Sequence, residues 1–178
     1  MNDDEATGCA ELVVCYPNVI SQWRLVGSHI TDKGAQVIAT IHDPALMRLV
    51  LSNNSIGDAG SAALAEALHH NSTLQLLDLS NNCVGDTGSA ALAQALHRTS
   101  TLMELNLSGN DTIGKEGTFQ LIQAVTVNKS LGTNMSALCG LVLPRRCEEF
   151  ATQGPWYNEV KHRTTFKEEG KASLCTVC

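Results

Sequence analysis

The sequence is poor in aromatic residues, in positive charge and in long apolar runs. Aromatic residues make up 4% of the 178-residue chain, so its core must be assembled from many small and similar aliphatic side chains. The formal net charge is -6, which argues against a nucleic acid as the partner, because binding to phosphates requires a basic surface. No run of about 18 apolar residues occurs, so we expect no membrane-spanning helix.

The cysteines do not predict a disulfide framework. They number seven, which is odd, and the first residues, MNDDEATGCA, are acidic where a secretory signal would be basic. We therefore expect a cytoplasmic protein whose thiols are reduced. The cysteines are Cys9, Cys15, Cys83, Cys139, Cys147, Cys175 and Cys178.

Most of the chain consists of a tandem repeat. Residues 46–73 and 74–101 are identical at 19 of 28 aligned positions. A third copy begins at Leu102 and carries one extra residue, and a weaker copy, two residues short, begins at Ile20. These four units cover roughly residues 18–131, and a repeat of this length is typical of a solenoid or a repeat array.

Each unit opens with a short strand pattern. Leucines alternate with variable residues, as in Leu74, Leu77 and Leu79, which predicts a strand with one buried face. An asparagine follows each strand where the chain must turn, and we expect its buried amide to satisfy backbone groups of the turn and of its neighbour. These structural asparagines are Asn54, Asn82 and Asn110.

The second half of each unit predicts a helix. We expect Asp58 to cap its own helix and Gly60 to let the helix and the strand approach closely. Lys115 replaces this aspartate in a later unit, so the helix of that unit is expected to lack its cap. Apolar spacings of three and four predict which residues face the core: Ala63, Leu64, Ala67 and Leu68.

A single strand and helix cannot bury their own apolar faces, whereas stacked units can. We therefore predict an α/β solenoid, a short horseshoe with parallel strands on its concave face and helices on its convex face. A degenerate last strand is expected within residues 138–143. The predicted divisions are an acidic N-terminal segment or cap (residues 1–17), the repeats (18–143) and a C-terminal tail (144–178). The tail is a degenerate cap, a loose end or a short docking segment, and the sequence does not separate these alternatives.

The pattern LxxLxLxxN followed by IGDxGSAALAxAL resembles leucine-rich repeats of the ribonuclease-inhibitor type, and is most similar to those of NOD-like receptors. The resemblance covers about two thirds of the chain. It implies a protein-binding scaffold that has no catalytic activity and no cofactor. It leaves open whether the chain is a whole protein or part of a larger receptor.

The same repeat type offers two alternative functions. Ran GTPase-activating protein carries such repeats and would act by positioning a switch of the GTPase, but that family has more repeats and a long acidic tail. An acidic concave face would instead suit the inhibition of a basic ribonuclease, with binding that weakens as salt is added.

Three motif-like stretches have simpler explanations. Residues 109–116, GNDTIGKE, nearly spell a phosphate-binding loop, but Glu116 cannot supply the hydroxyl that binds magnesium. His69 and His70 lack zinc-like spacing to any cysteine. The final CTVC, which begins at Cys175, resembles a prenylation box with an unusual last residue. We therefore expect no catalytic residue, no metal, no cofactor and no membrane partner.

Contact with a protein partner is expected on the concave face. Strand positions between the core leucines point to this face, and there the two near-identical units differ, with Arg48 against Leu76 and Val50 against Asp78. Such variation over a constant core is expected of a surface adapted to a partner, and it is equally expected from neutral drift at exposed positions. The predicted rows across the strands are Gln22, Arg48, Leu76, Glu104 and Arg24, Val50, Asp78, Asn106. The predicted partner-binding residues are Arg24, Arg48, Val50, Leu76, Asp78, Glu104 and Asn106.

Overall fold

The computed structural model describes residues 20–41, 43–128, 140–152 and 164–167. Within these residues, strands and helices alternate along the chain. The strands are β1 (Gln22–Arg24), β2 (Arg48–Val50), β3 (Leu76–Asp78), β4 (Glu104–Asn106), β5 (Gly140–Pro144) and β6 (Thr164–Lys167). The helices are α1 (Asp32–Ala39), α2 (Asp58–His70), α3 (Asp86–Leu96), α4 (Lys115–Asn128) and α5 (Cys147–Thr152).

The strands form one parallel sheet in chain order from β1 to β6. Each residue pairs with its equivalent in the next unit, so Arg48 lies between Gln22 and Leu76, and Leu76 pairs with Glu104. Parallel neighbours need a crossover connection, and the helices supply it. The predicted parallel solenoid of strands and helices is confirmed.

The core lies between the sheet and the helices. Strands β2 to β5 each contribute a leucine that is almost completely buried, such as Leu77 and Leu105, and β1 contributes Trp23. On the other layer each helix packs against the next, from α1 through α4. No unit closes its own core, because every unit buries its apolar residues partly against the units on either side.

The buried face of α2 is broader than predicted and is rotated. Leu64 and Leu68 are buried as expected, whereas Ala63 and Ala67 are only half-buried, and Ala65 is buried instead. The reason is that α2 packs against α1 and α3 as well as against the sheet. The buried residues of α2 are Gly60, Ser61, Leu64, Ala65 and Leu68.

The last two strands extend the sheet beyond the clear repeats. β5 lies where the degenerate strand of residues 138–143 is predicted, shifted toward the C-terminus. β6 comes from the segment predicted as a tail, and it pairs with β5, with Leu141 opposite Thr164. Two of the tail's aromatic residues, Trp156 and Tyr157, lie outside the described residues. The division of the chain at residues 17 and 143 stays a prediction.

The cysteines depart from the expectation of reduced thiols. Cys83 is disulfide-bonded, whereas Cys147 is a free and buried thiol. A disulfide requires two cysteines whose Cβ atoms lie within about 4 Å of each other, so it depends on tertiary proximity. Sequence position gave no sign of this proximity.

Candidate functional site

A ladder of buried asparagines fixes the ends of the strands and hence the concave face. The side chain of Asn82 is 1% exposed. Its Nδ2 donates to the carbonyl oxygen of Leu79 in its own unit at 3.0 Å and to that of Leu51 in the preceding unit at 2.9 Å. Its Oδ1 accepts from the backbone N–H of Ile56 at 3.0 Å. Equivalent bonds connect the other units, through Asn54 and Asn110.

A second ladder, formed by aspartates, joins the helix N-termini. Asp58 Oδ1 accepts from the backbone N–H groups of Gly85 and Gly88, each at 2.8 Å, at the start of α3. Its own helix has Gly57 as N-cap, without a side-chain hydrogen bond. The prediction that Asp58 caps its own helix is therefore wrong, because stacking places its carboxylate beside the next N-terminus. The ladder consists of Asp32, Asp58 and Asp86.

The prediction that Lys115 leaves its helix uncapped is also wrong. The N-terminus of α4 donates to Asp86 of the preceding unit, from Gly114 N at 2.7 Å and from Gly117 N at 2.9 Å. The ammonium of Lys115 lies 5.5 Å from the ring centroid of Phe119. The lysine thus ends the ladder, because it offers no acceptor to the unit that follows.

Removal of one aspartate should weaken the junction between two units. We expect Asp58→Ala to lower the free energy of unfolding by about 1–2 kcal/mol, the usual contribution of a helix-capping side chain. Asp58→Asn should lose less, because its amide oxygen can still accept from Gly85 and Gly88. Urea denaturation of the two variants measures the difference, and an Asp58→Ala variant as stable as the wild type would contradict the ladder.

The predicted partner-binding residues lie in two rows across β1 to β4. Arg24 and Arg48 are exposed, and the other predicted residues apart from Val50 are half-buried. Val50 is only 8% exposed, because its short side chain stands in register between Arg24 and Asp78. Val50 therefore offers little surface, in contrast to the prediction. The half-buried residues are Leu76, Asp78, Glu104 and Asn106.

Two polar side chains of this face are held against their strand ends. Asp78 Oδ1 accepts from Ser80 N at 2.9 Å. Asn106 Oδ1 accepts from the backbone N–H of Ser108 at 3.1 Å and from its hydroxyl at 2.8 Å. These bonds limit the rotamers of both side chains.

The rim of the face carries apolar residues that sequence reasoning did not assign to binding. Met47 and Met103 are 46% and 44% exposed, and they directly precede β2 and β4. Methionine adapts its shape to a partner surface. A signal was present, because the near-identical units differ here as well, with Gln75 in place of Met47.

The stretch of residues 109–116 has no free anion site at the helix that follows it. In a phosphate-binding loop, the backbone N–H groups at the helix N-terminus hold the phosphate. Here Gly114 N and Gly117 N already donate to the carboxylate of Asp86. The negative charge of Asp86 would also repel a phosphate.

Three observations concern the titratable groups of the described residues. Within residues 20–41, 43–128, 140–152 and 164–167, no three His, Cys, Asp or Glu side chains lie close enough to hold a metal ion. His69 and His70 lie near Glu66 on α2, at 3.9 and 3.7 Å. Burial raises the pKa of the Cys147 thiol, which keeps it protonated and therefore a poor nucleophile.

Two expectations from the sequence concern membranes: that no helix spans a bilayer, and that the C-terminus only resembles a prenylation box. Among the described residues, no helix combines the length and the apolar composition needed to cross a bilayer. Cys175, the residue of the prenylation-like ending, lies outside the described residues.

Comparisons with known proteins agree with this architecture. Residues 42–65, 70–93 and 100–118 match the family model described as Leucine Rich repeat. No curated protein sequence matches the chain. Among solved structures, the chain is similar to Leiomodin-1 Actin-Binding Site 2 (ABS2), with a TM-score of 0.64 and 20% identity over 90% of this chain and 91% of that one. At this identity the likeness shows the fold alone. The chain thus contains leucine-rich repeats, and their stacked strands and helices form a leucine-rich repeat solenoid.

Proposed function

We propose that the chain is a non-enzymatic module that binds a protein partner through the concave face of β1 to β4. One observation carries the proposal. Two near-identical units keep every buried leucine but differ at the strand positions between those leucines, with Arg48 against Leu76 and Val50 against Asp78. Constant packing under a varied surface is expected of a scaffold whose face is adapted to a partner.

The finer classification is part of the same proposal. We assign the repeats to the ribonuclease-inhibitor type, most like those of NOD-like receptors, because the units are 28 residues long and α2 and α3 contain 13 and 11 residues. Inhibition of a basic ribonuclease is the weaker alternative, since Arg24 and Arg48 are exposed on the same face. Regulation of a GTPase also stays an alternative. The cytoplasmic location stays a prediction.

Charge reversal on the concave face tests the proposal. We expect Arg48→Glu with Asp78→Lys to reduce recovery of the partner from cell lysate by about tenfold or more, because opposed like charges repel across an interface. The matched control is Lys33→Glu with Glu66→Lys, which alters exposed residues of α1 and α2. Each double variant keeps the formal net charge of -6, since one change subtracts two charges and the other adds two. Equal recovery by both variants would exclude the concave face.

Actin is the first partner to test by name. The structural neighbour is an actin-binding site, although its likeness to this chain extends to the fold only. Cosedimentation with filamentous actin, using the same two double variants, gives a direct answer. Sedimentation that is lost only in the concave-face variant would identify actin as the partner, and no sedimentation of the wild type would exclude it.

A further inference from the structure

The charges on the concave face change sign once along the sheet. Arg24 lies on β1 and Arg48 on β2, whereas Asp78 lies on β3 and Glu104 on β4. The strands are paired in this order. One half of the face is therefore basic and the other half acidic.

These charges do not neutralise one another. Among the described residues, neither arginine forms an ion pair with either carboxylate. Both arginines are exposed, and both carboxylate side chains are half-buried. Each half of the face can therefore still take a counter-charge from a partner.

The middle of the face is apolar. Val50 on β2 and Leu76 on β3 separate the basic half from the acidic half. The exposed Met47 flanks them at the rim. A partner that crosses the strands thus meets a basic region, an apolar floor and then an acidic region.

The dimensions suit an extended polypeptide. Neighbouring strands lie about 4.8 Å apart, so three strand spacings, from β1 to β4, span about 14 Å. In an extended chain, residues i, i+2 and i+4 line one face and together span about 13 Å. The outermost charged residues of the face, Arg24 on β1 and Glu104 on β4, therefore lie on strands about as far apart as residues i and i+4 of such a segment.

We propose that the concave face binds an extended segment with an acidic residue at i, an apolar residue at i+2 and a basic residue at i+4. The acidic residue lies over Arg24 on β1 with Arg48 beside it, the apolar residue over Val50 and Leu76, and the basic residue over Glu104 on β4 with Asp78 beside it. This inference rests on the proposed function and states the chemistry of the partner. A nucleic acid does not fit, because the acidic half repels its phosphates.

Short peptides test the proposal directly. The probes are three blocked, fluorescently labelled peptides built on Asp-Ser-Leu-Ser-Lys, Asp-Ser-Leu-Ser-Asp and Lys-Ser-Leu-Ser-Lys. Titration with the full chain at low salt should give the mixed-charge peptide an affinity about tenfold higher than that of either single-charge peptide, since only it avoids a like-charge contact. Equal affinities, or no binding of the mixed-charge peptide, would overturn the proposal.

Two double variants should change which of the three peptides binds best. Arg24→Glu with Arg48→Glu makes the whole face acidic, so the dibasic peptide should then bind best. Asp78→Lys with Glu104→Lys makes it basic, so the diacidic peptide should bind best. Lys33→Glu with Arg98→Glu introduces the same charge change as the first variant at exposed positions outside the strands, and it should keep the wild-type order. If this control also changed which peptide binds best, the preference would be due to net charge, and the proposal would be overturned.

The peptide experiment can fail while the proposed function stands. If no peptide preference is found, but the Arg48→Glu and Asp78→Lys variant loses its partner in lysate, the concave face binds a protein that has a different charge pattern. If recovery from lysate is also unaffected, the concave-face function itself is wrong.

Discussion

Gly88→Ala should destabilise the protein by about 3 kcal/mol, a typical cost of overpacking a tight contact. A Cβ atom at this position in α3 would meet Ser61 Oγ, and it would lie 2.8 Å from Asp58 Oδ1 and 3.1 Å from Asp58 Cα. The last of these is backbone, so it cannot move away cheaply. The change also displaces the carboxylate that accepts from Gly88 N. The higher helix propensity of alanine, about 1 kcal/mol, offsets only part of this cost.

Denaturant unfolding of Gly88→Ala beside Thr87→Ala gives the measurement. Thr87 is the preceding residue of the same helix and is exposed, so its replacement should change stability by less than about 0.5 kcal/mol. Equal stability of the two variants would show that α2 and α3 can move apart at this point. It would also show that the glycine is not required for their close packing.

Asn82→Ala should also cost about 3 kcal/mol, because it leaves one buried backbone N–H without an acceptor and removes one of two side-chain donors from each of two buried carbonyl oxygens. Ile56 N loses its acceptor, and the carbonyl oxygens of Leu51 and Leu79 lose a donor. A buried N–H left unpaired costs about 1–3 kcal/mol, whereas the two carbonyl oxygens still accept from Asn54 and Asn110. Asn82 is the middle of the three ladder asparagines, so the loss affects two turns at once.

Amide hydrogen exchange can distinguish local from global effects of Asn82→Ala. The N–H of Ile56 should exchange faster than in the wild type even where global unfolding does not limit exchange. Gln94→Ala removes an exposed amide from α3, and it should change neither stability nor exchange at Ile56. Unchanged protection of Ile56 in Asn82→Ala would mean that another group satisfies this N–H.

The residue before each ladder asparagine has a left-handed backbone conformation. The sequence contained a signal for this conformation, which was not among the predictions. Asn53, Asn81 and Gly109 have φ of 58°, 53° and 72°, and Gly27, at the equivalent position before Ser28, has 61°. Only glycine and asparagine adopt this conformation readily. Their recurrence at one position of every unit was a readable signal of the turn.

The sequence by itself determined the architecture, because nearly identical units bury the same leucines and must therefore stack in register. Alignment of the repeats alone placed Arg48 between Gln22 and Leu76, and the structure shows this pairing. The sequence also indicated which strand positions vary. Repetition makes these features predictable, since one rule applies to every unit.

Only the tertiary structure decided which unit each side chain contacts. The pattern identified Asp58 as a capping residue, but the helix that it caps belongs to the next unit. It identified Val50 as a surface position, but this residue lies between Arg24 and Asp78 of the neighbouring strands and is buried. It gave no sign of the disulfide at Cys83. The first two depend on contacts between units, and a sequence pattern describes the residues of one unit without giving their distances to the next.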